Sequence, residues 1–191
     1  DCLLSRGLGD VYKRQVQGEG GVIVADKEYI QEIRKICDEN NVLLIFDEVQ
    51  TGIGRLGYMF GYEYYGVEPD IMTLAKGIGG GVPLAALLAK DNVCCFEAGD
   101  QGGTYSMTPI MTAVGLAVVK EMLESDICKN VREMGSYLSS NLMTLMEKYS
   151  FITEVRGLGL LIAIGLDGVN ANEIQAASLK KRLLVNAPNV N

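Results

Sequence analysis

The sequence predicts an α/β layer followed by a smaller α+β unit. Three observations carry that prediction. From Val16 to Ala89, short apolar strands alternate with helix-spaced and glycine-rich segments. One of those strands, Val42-Leu43-Leu44-Ile45-Phe46, is apolar at every position, as in a parallel strand buried on both faces. From Thr108 onward the pattern changes to two long helical stripes and then to shorter strands.

The elements follow in chain order. Residues 1–15, Asp1 to Gln15, show no clear period and no partner elements. They look like read-through appended to assembled metagenomic sequence. They are left unassigned, with a non-native origin open, and stand outside the fold argument. Gly21-Val22-Ile23-Val24-Ala25 reads as a short strand, and Asp26 as the cap of a helix over 27–40 with Ile30, Ile33 and Cys37 on one face. Strand 42–46 comes next, then strands at Ile71 to Ala75 and Leu84 to Ala89. Thr108-Pro109 opens a helix with the stripe Met111, Val114, Val118 and Met122. Asp126 opens another, with Ile127, Val131, Met134, Leu138, Leu142 and Leu145 on one face. Strands near 151–156 and 160–166, a helix from about 172 and a last strand at 183–186 complete the chain. The expected division is 16–124 for the α/β layer and 125–191 for the smaller unit. The abrupt end at Asn189-Val190-Asn191 suggests that the second unit is partial.

Composition narrows the function. The 191 residues are 48% hydrophobic and 21% charged, as in a globular protein with a core. Net charge is −7, which argues against a nucleic-acid or anionic-membrane surface. No apolar run reaches the roughly 18 residues of a membrane span, and no signal-peptide pattern is visible. Five scattered cysteines without zinc spacing fit a reduced, cytoplasmic setting. Histidine is absent, so histidine triads, bases and metal ligands are excluded. No metal site is expected.

Two positions carry chemistry. Asp47 ends the apolar strand 42–46. Lys76 ends the strand Ile71-Met72-Thr73-Leu74-Ala75, just before Gly77 and a glycine run. Strand C-terminal ends are where α/β layers place their sites. A lysine emerging from a buried sheet loses hydration and becomes a usable nucleophile. An acid and a lysine so placed suit pyridoxal phosphate (PLP): the lysine holds the cofactor aldehyde as a Schiff base, and the acid keeps the ring nitrogen protonated. The segment Gly52-Ile53-Gly54-Arg55-Leu56-Gly57 matches a dinucleotide fingerprint literally. However, Tyr58, Phe60, Tyr62, Tyr64 and Tyr65 make a poor helix start after it, and Asp70 precedes a strand instead of ending one. The match reads as accidental.

Six pieces together carry a family resemblance: Val16-Gln17-Gly18-Glu19-Gly20-Gly21, Phe46 through Arg55, Pro69 through Gly77, Gly79-Gly80-Gly81-Val82-Pro83, Gly103-Thr104 and Arg156-Gly157-Leu158-Gly159. In this order and spacing, residues 16–191 resemble class III aminotransferases of PLP fold type I, most closely the branch acting on N-acetylornithine. The resemblance implies part of the PLP-binding large domain followed by a smaller C-terminal domain. It implies PLP as cofactor, a homodimer with shared sites, and amino transfer from N-acetylornithine to 2-oxoglutarate in arginine biosynthesis. It makes Lys76 the Schiff-base lysine and Asp47, not Glu48, the partner of the ring nitrogen. It sets Val49 against the ring face, Gln50 near the ring hydroxyl, and Thr104 on the phosphate of the neighbouring subunit's cofactor. Gln101 and Gly103 stand where the family usually has histidine and serine. Glu19 is implied at the substrate. The family's phosphate cradle, ring-stacking aromatic and substrate arginines have no counterpart here, so a fragment inactive on its own is expected. The rival readings are another ω-aminotransferase, acting on ornithine, succinylornithine or 4-aminobutyrate, and a non-catalytic α/β binding module.

Overall fold

The structure, a computed structural model, describes residues 10–13, 15–106 and 108–187. Its main sheet is mixed. β4 (Leu43–Asp47) lies at its centre, parallel to β1 (Asp10–Lys13) on one side and to β5 (Ile71–Leu74) on the other, and β6 (Ala86–Ala89) closes the far edge antiparallel to β5. Both β4 and β5 run toward the end where Asp47 and Lys76 lie, with Asp47 in register with Thr73.

Helix α1 (Lys27–Glu39) covers one face of this sheet. Ile30 and Cys37 meet Leu44 and Phe46, together with Tyr65 from the short helix α2 (Gly61–Tyr65) and Val67. Asp26 occupies the capping position with extended backbone, but its side chain makes no capping bond. The expectation that strand 42–46 is buried on both faces fails. Leu44 and Phe46 are buried, while Leu43 and Ile45 are only half-buried. Burial on the second face needs a second layer, and the described helices that meet this strand cluster with Leu44 and Phe46.

Residues 10–13 have a partner after all, because β1 pairs with Leu43 to Phe46. An unpaired edge of a buried strand accepts an extended backbone largely regardless of its side chains. Residues 1–9 and Arg14 of the leading segment lie outside the described residues, as do Met107 and 188–191. The expected strand 21–25 shrinks to β3 (Ile23–Val24), which pairs antiparallel with β2 (Val16–Gln17) outside the main sheet. The reason is local: the amides of Gly21 and Val22 both donate to the Gly18 carbonyl, turning the chain back on itself.

Helix α3 (Pro109–Glu124) begins at the expected proline. Its half-buried stripe is the predicted one, Met111, Val114, Val118 and Met122, with buried Gly115 at its centre. Helix α4 (Ile127–Lys148) buries Val131 and Gly135, whereas Met134, Leu138 and Leu145, expected on the inner face, are exposed. The glycine explains the shift: a Cβ on Gly135 would lie 2.3 Å from the Gly159 carbonyl oxygen, so the backbone contact, not the larger apolar side chains, sets the helix rotation. The hairpin of β7 (Ile152–Leu158) and β8 (Leu161–Leu166) packs on α4, and helix α5 (Ala171–Lys180) follows. Leu158, Leu161 and Ala163 pack on Val16, Val22 and Leu56, so the hairpin leans on the turns beside β4. The predicted strand at 183–186 does not form. Residues 183–187 have no ladder partner among the described residues, and a strand needs one.

Candidate active site

One small cavity, of about 90 Å³, lies at the C-terminal ends of β4 and β5. Its lining residues are Val16, Glu19, Asp47, Val49, Gln50 and Lys76. Five of the six residues singled out in the sequence therefore share one wall. They come from three separate stretches, which the parallel pairing of β4 with β5 and the 18–21 turn bring together. Thr104 is apart: it sits exposed in a turn over 104–106 and does not line the cavity. Val16 was not singled out as a site residue. Its signal was its place at the head of the glycine-rich piece, read there as a motif position only.

Asp47 is buried at 6% exposure and accepts a hydrogen bond from the Val49 amide at 3.0 Å. That bond turns the chain sharply after β4 and aims Val49 and Gln50 at the cavity. The adjacent acid is occupied elsewhere. Glu48 Oε1 accepts from Gln15 Nε2 at 2.7 Å and the Tyr62 amide at 2.8 Å. Its Oε2 accepts from Thr51 Oγ1 at 2.6 Å and the Gly61 amide at 2.8 Å. Burial pushes the Glu48 carboxyl above its ordinary range, against the lowering by those donors. With both oxygens engaged by the protein, Glu48 is a staple that ties the loop after β4 to the start of α2, and Asp47 is the acid left facing the cavity. The loop runs from Val49 through Phe60 as turns and bends, without the immediate helix that a dinucleotide site requires.

Lys76 opens a 3-10 turn over Lys76–Gly79, directly after β5. Its side chain is exposed, where partial loss of hydration was expected. The turn carries Lys76 out past the sheet's end. Ile53 packs against the neighbouring Gly77, where an added Cβ would lie 3.2 Å from the Ile53 Cβ. Gln50 is positioned by close approach: a Cβ on Gly18 would lie 2.2 Å from Gln50 Oε1. Thr73, the register partner of Asp47, has a buried hydroxyl oxygen without a hydrogen-bond partner among the described residues. In-register residues of adjacent strands present their side chains to the same face.

This donor set fits the ring half of a pyridoxal cofactor. It offers a buried carboxylate, an amine, an apolar side chain, an amide and an orphaned hydroxyl beside the carboxylate. At about 90 Å³ the cavity is well below the roughly 300–1,000 Å³ of a complete small-molecule site.

Residues 14–187 match the family Aminotransferase class-III. Among curated relatives, the acetylornithine aminotransferase of Caldanaerobacter subterraneus subsp. tengcongensis is 47% identical over 176 residues, which cover 92% of this chain and 45% of the relative. Among solved structures, the ornithine delta-aminotransferase of Plasmodium falciparum superposes with a TM-score of 0.88 at 34% identity, covering 93% of this chain and 47% of that one. A PLP-bound amine transaminase from an uncultivated Pseudomonas species gives a TM-score of 0.84 at 36% identity, covering 92% and 44%. The fold and the family match define a partial PLP-dependent transferase of fold type I. The chain belongs to the class-III aminotransferases, and it spans about half the length of the relatives it matches.

Proposed function

We propose that this chain is the lysine-bearing half of a PLP-dependent aminotransferase that moves an amino group from N-acetylornithine to 2-oxoglutarate. The observation that carries the proposal is the convergence of Asp47, Val49, Gln50, Glu19 and Lys76 on one cavity at the ends of two parallel strands. The likeness to acetylornithine aminotransferases supports the donor.

PLP, when bound, supplies an electron sink for negative charge on the carbon beside the substrate nitrogen. The chain's own residues supply position and charge. The Asp47 carboxylate would accept a hydrogen bond from the protonated ring nitrogen and hold it charged, which a buried acid does more strongly than a solvated one. Val49 would pack against the ring, and Gln50, held by the close approach of Gly18, would meet its hydroxyl. Lys76 Nζ is the amine that would hold the cofactor's aldehyde carbon, and it would serve as the proton carrier at the substrate carbon. Glu19 faces the donor amine. Thr104, exposed and away from this cavity, reaches the phosphate in the neighbouring subunit of a homodimer. Residues 16–124 form the later part of the large domain and 125–191 part of the small one, with the boundary at Ser125 between α3 and α4.

Ornithine as donor is the second reading. The structural likeness to an ornithine delta-aminotransferase and the carboxylate of Glu19 in the cavity wall favour it. The test uses a completed chain, in which the first half of the Caldanaerobacter relative precedes Val16. With PLP it should gain visible cofactor absorbance, and borohydride should fix the cofactor on the peptide containing Lys76. Transfer should be faster from N-acetylornithine than from ornithine. A fixed label on another lysine overturns the site, and a preference for ornithine selects the second reading.

A further inference from the structure

Lys76 of the cavity wall holds left-handed backbone at φ 49°, as do Val22, packed on Val16, at 58° and Ile53, packed on Gly77, at 52°. Such conformations are disfavoured for side chains of these types, most of all when β-branched. They persist only where the surroundings over-determine them. Lys76 is thus held in an unfavourable conformation at the position that the proposed chemistry needs, and two independent packings hold it there. Ile53 lies on the peptide next to it, through Gly77. On the helix side, α3 approaches the same turn through a glycine. A Cβ on Gly115 would lie 2.5 Å from Leu84 Cδ2 and 3.7 Å from the Ile78 carbonyl oxygen. Leu84 in turn touches Gly79, where a Cβ would be 3.4 Å from its Cβ and amide nitrogen. Gly80, at φ 56°, ends the turn against Val118, again with no room for a Cβ, which would lie 2.8 Å from Cγ2. Turn 76–80 is wedged between Ile53 and α3.

We propose that Ile53 and Gly115 are positioning residues for Lys76: Ile53 bears on Gly77, Gly115 lets α3 seat Leu84 on Gly79, and together they hold the lysine's left-handed entry into the turn. The inference rests on Lys76 being the cofactor-anchoring amine. It adds what fixes that amine in place.

The test uses the completed chain and its Ile53→Ala, Gly115→Ala and Gly115→Ala/Leu84→Ala variants. Three readouts are taken: amide hydrogen exchange of residues 77–81, the rate at which an acylating reagent labels Lys76 Nζ in cofactor-free protein, and the melting temperature. Ile53→Ala removes the packing on Gly77, and the methyl of Gly115→Ala displaces Leu84 from Gly79; each should free the turn to leave its left-handed backbone, raise exchange at 77–81 about tenfold and change the Lys76 labelling rate. Leu84→Ala in the double variant keeps the Cβ and amide that meet Gly79 and clears the Cδ2 that the new methyl at 115 would strike. It should bring exchange back to within about threefold of the parent, the residue of an imperfect repacking. Lower melting temperatures with parental exchange and labelling would overturn the proposal, and so would a double variant no better than Gly115→Ala alone. If Gly115→Ala does not fold, Ile53→Ala and the double variant still decide. If the parent itself fixes no cofactor on Lys76, the functional reading fails, while the exchange data still report on the wedge.

Discussion

At the scale of single residues, two adjacent acids take opposite roles because of what surrounds them. Asp47 faces the cavity, and Glu48 spends both oxygens on four protein donors. On the proposed reading, replacing Asp47 by alanine in the completed chain removes the charge that would keep the ring nitrogen protonated. Preorganised electrostatic contacts of this kind are worth about 3–4 kcal/mol, so proton abstraction should slow roughly 10²- to 10³-fold while the cofactor still attaches to Lys76. Single-turnover rates within a few-fold of the parent would remove Asp47 from that role. Glu48→Gln should act on stability instead. The amide nitrogen that replaces one carboxylate oxygen faces two donors and can accept from neither. Loss of hydrogen bonds to a charged group, with donors left buried, predicts destabilisation of about 2–4 kcal/mol, read as a lower urea midpoint with per-site chemistry retained. Glu19→Gln should change the preference among N-acetylornithine, ornithine and 4-aminobutyrate and leave PLP affinity near that of the parent. Half-reaction rates by stopped flow, beside a PLP titration, check both parts.

At the scale of elements, the sheet is pinned to α1 at one point away from the cavity. Asp70 Oδ2 accepts from Arg34 Nη1 at 2.7 Å and from the Leu44 amide at 2.8 Å, so one carboxylate joins α1, β4 and the start of β5. Burial works against the charged form, but the Leu44 amide and the Arg34 guanidinium outweigh it and hold the Asp70 carboxyl below its usual range. A carboxyl lowered by folding contributes stability that is complete above its unfolded value of about 3.9 and is lost as pH falls through the folded value. Arg34→Met should therefore destabilise the chain by about 1–3 kcal/mol at pH 7. The gap to the parent should narrow as urea midpoints are followed below about pH 4. A gap that stays constant with pH would mean that Arg34 acts through packing alone.

The same scale shows what was legible in the sequence. The strands that lead to Asp47 and Lys76 were readable because each is a short apolar run with a charged residue at or just past its end, and the helix starts were readable from Asp26, Pro109 and Asp126. Burial of strand 42–46 on both faces was not, because it depends on what covers the strand, not on the strand's own residues. The missing strand at 183–186 failed for the same reason: a strand is a property of a pair. The rotation of α4 turned on backbone contact at Gly135, which a count of apolar side chains ignores. Within the site, residue type and motif identified five of the six lining residues, and only geometry added Val16. The left-handed backbone at Ile53 and Lys76 has no signature in residue type, since both would ordinarily be assigned elsewhere.

For the whole molecule, much apolar surface lies open. Leu43 and Ile45 are half-buried on the second face of β4. On the edge strand β6, Leu87 is 60% and Leu88 42% exposed, and on α3 Ile110, Leu116 and Leu123 are 73%, 56% and 71% exposed. The outer ladder of β6 is unpaired among the described residues. An open edge recruits other strands, and broad apolar patches recruit other apolar surfaces. The relatives this chain resembles are about twice as long, so they carry additional chain that could cover such faces. The 191-residue chain expressed alone should therefore self-associate and turn over no substrate. By light scattering it should run as a distribution of oligomers, with a broad, non-cooperative melt. Co-expression with the first half of the Caldanaerobacter relative as a separate polypeptide should cover the open edge and apolar faces and yield one defined species. Such a complex should protect the amides of β6 and the exposed face of α3 from exchange. A monodisperse isolated chain with a cooperative melt would show that these faces are stable in water as they stand, and one that also transfers amino groups would place the whole active site within these residues.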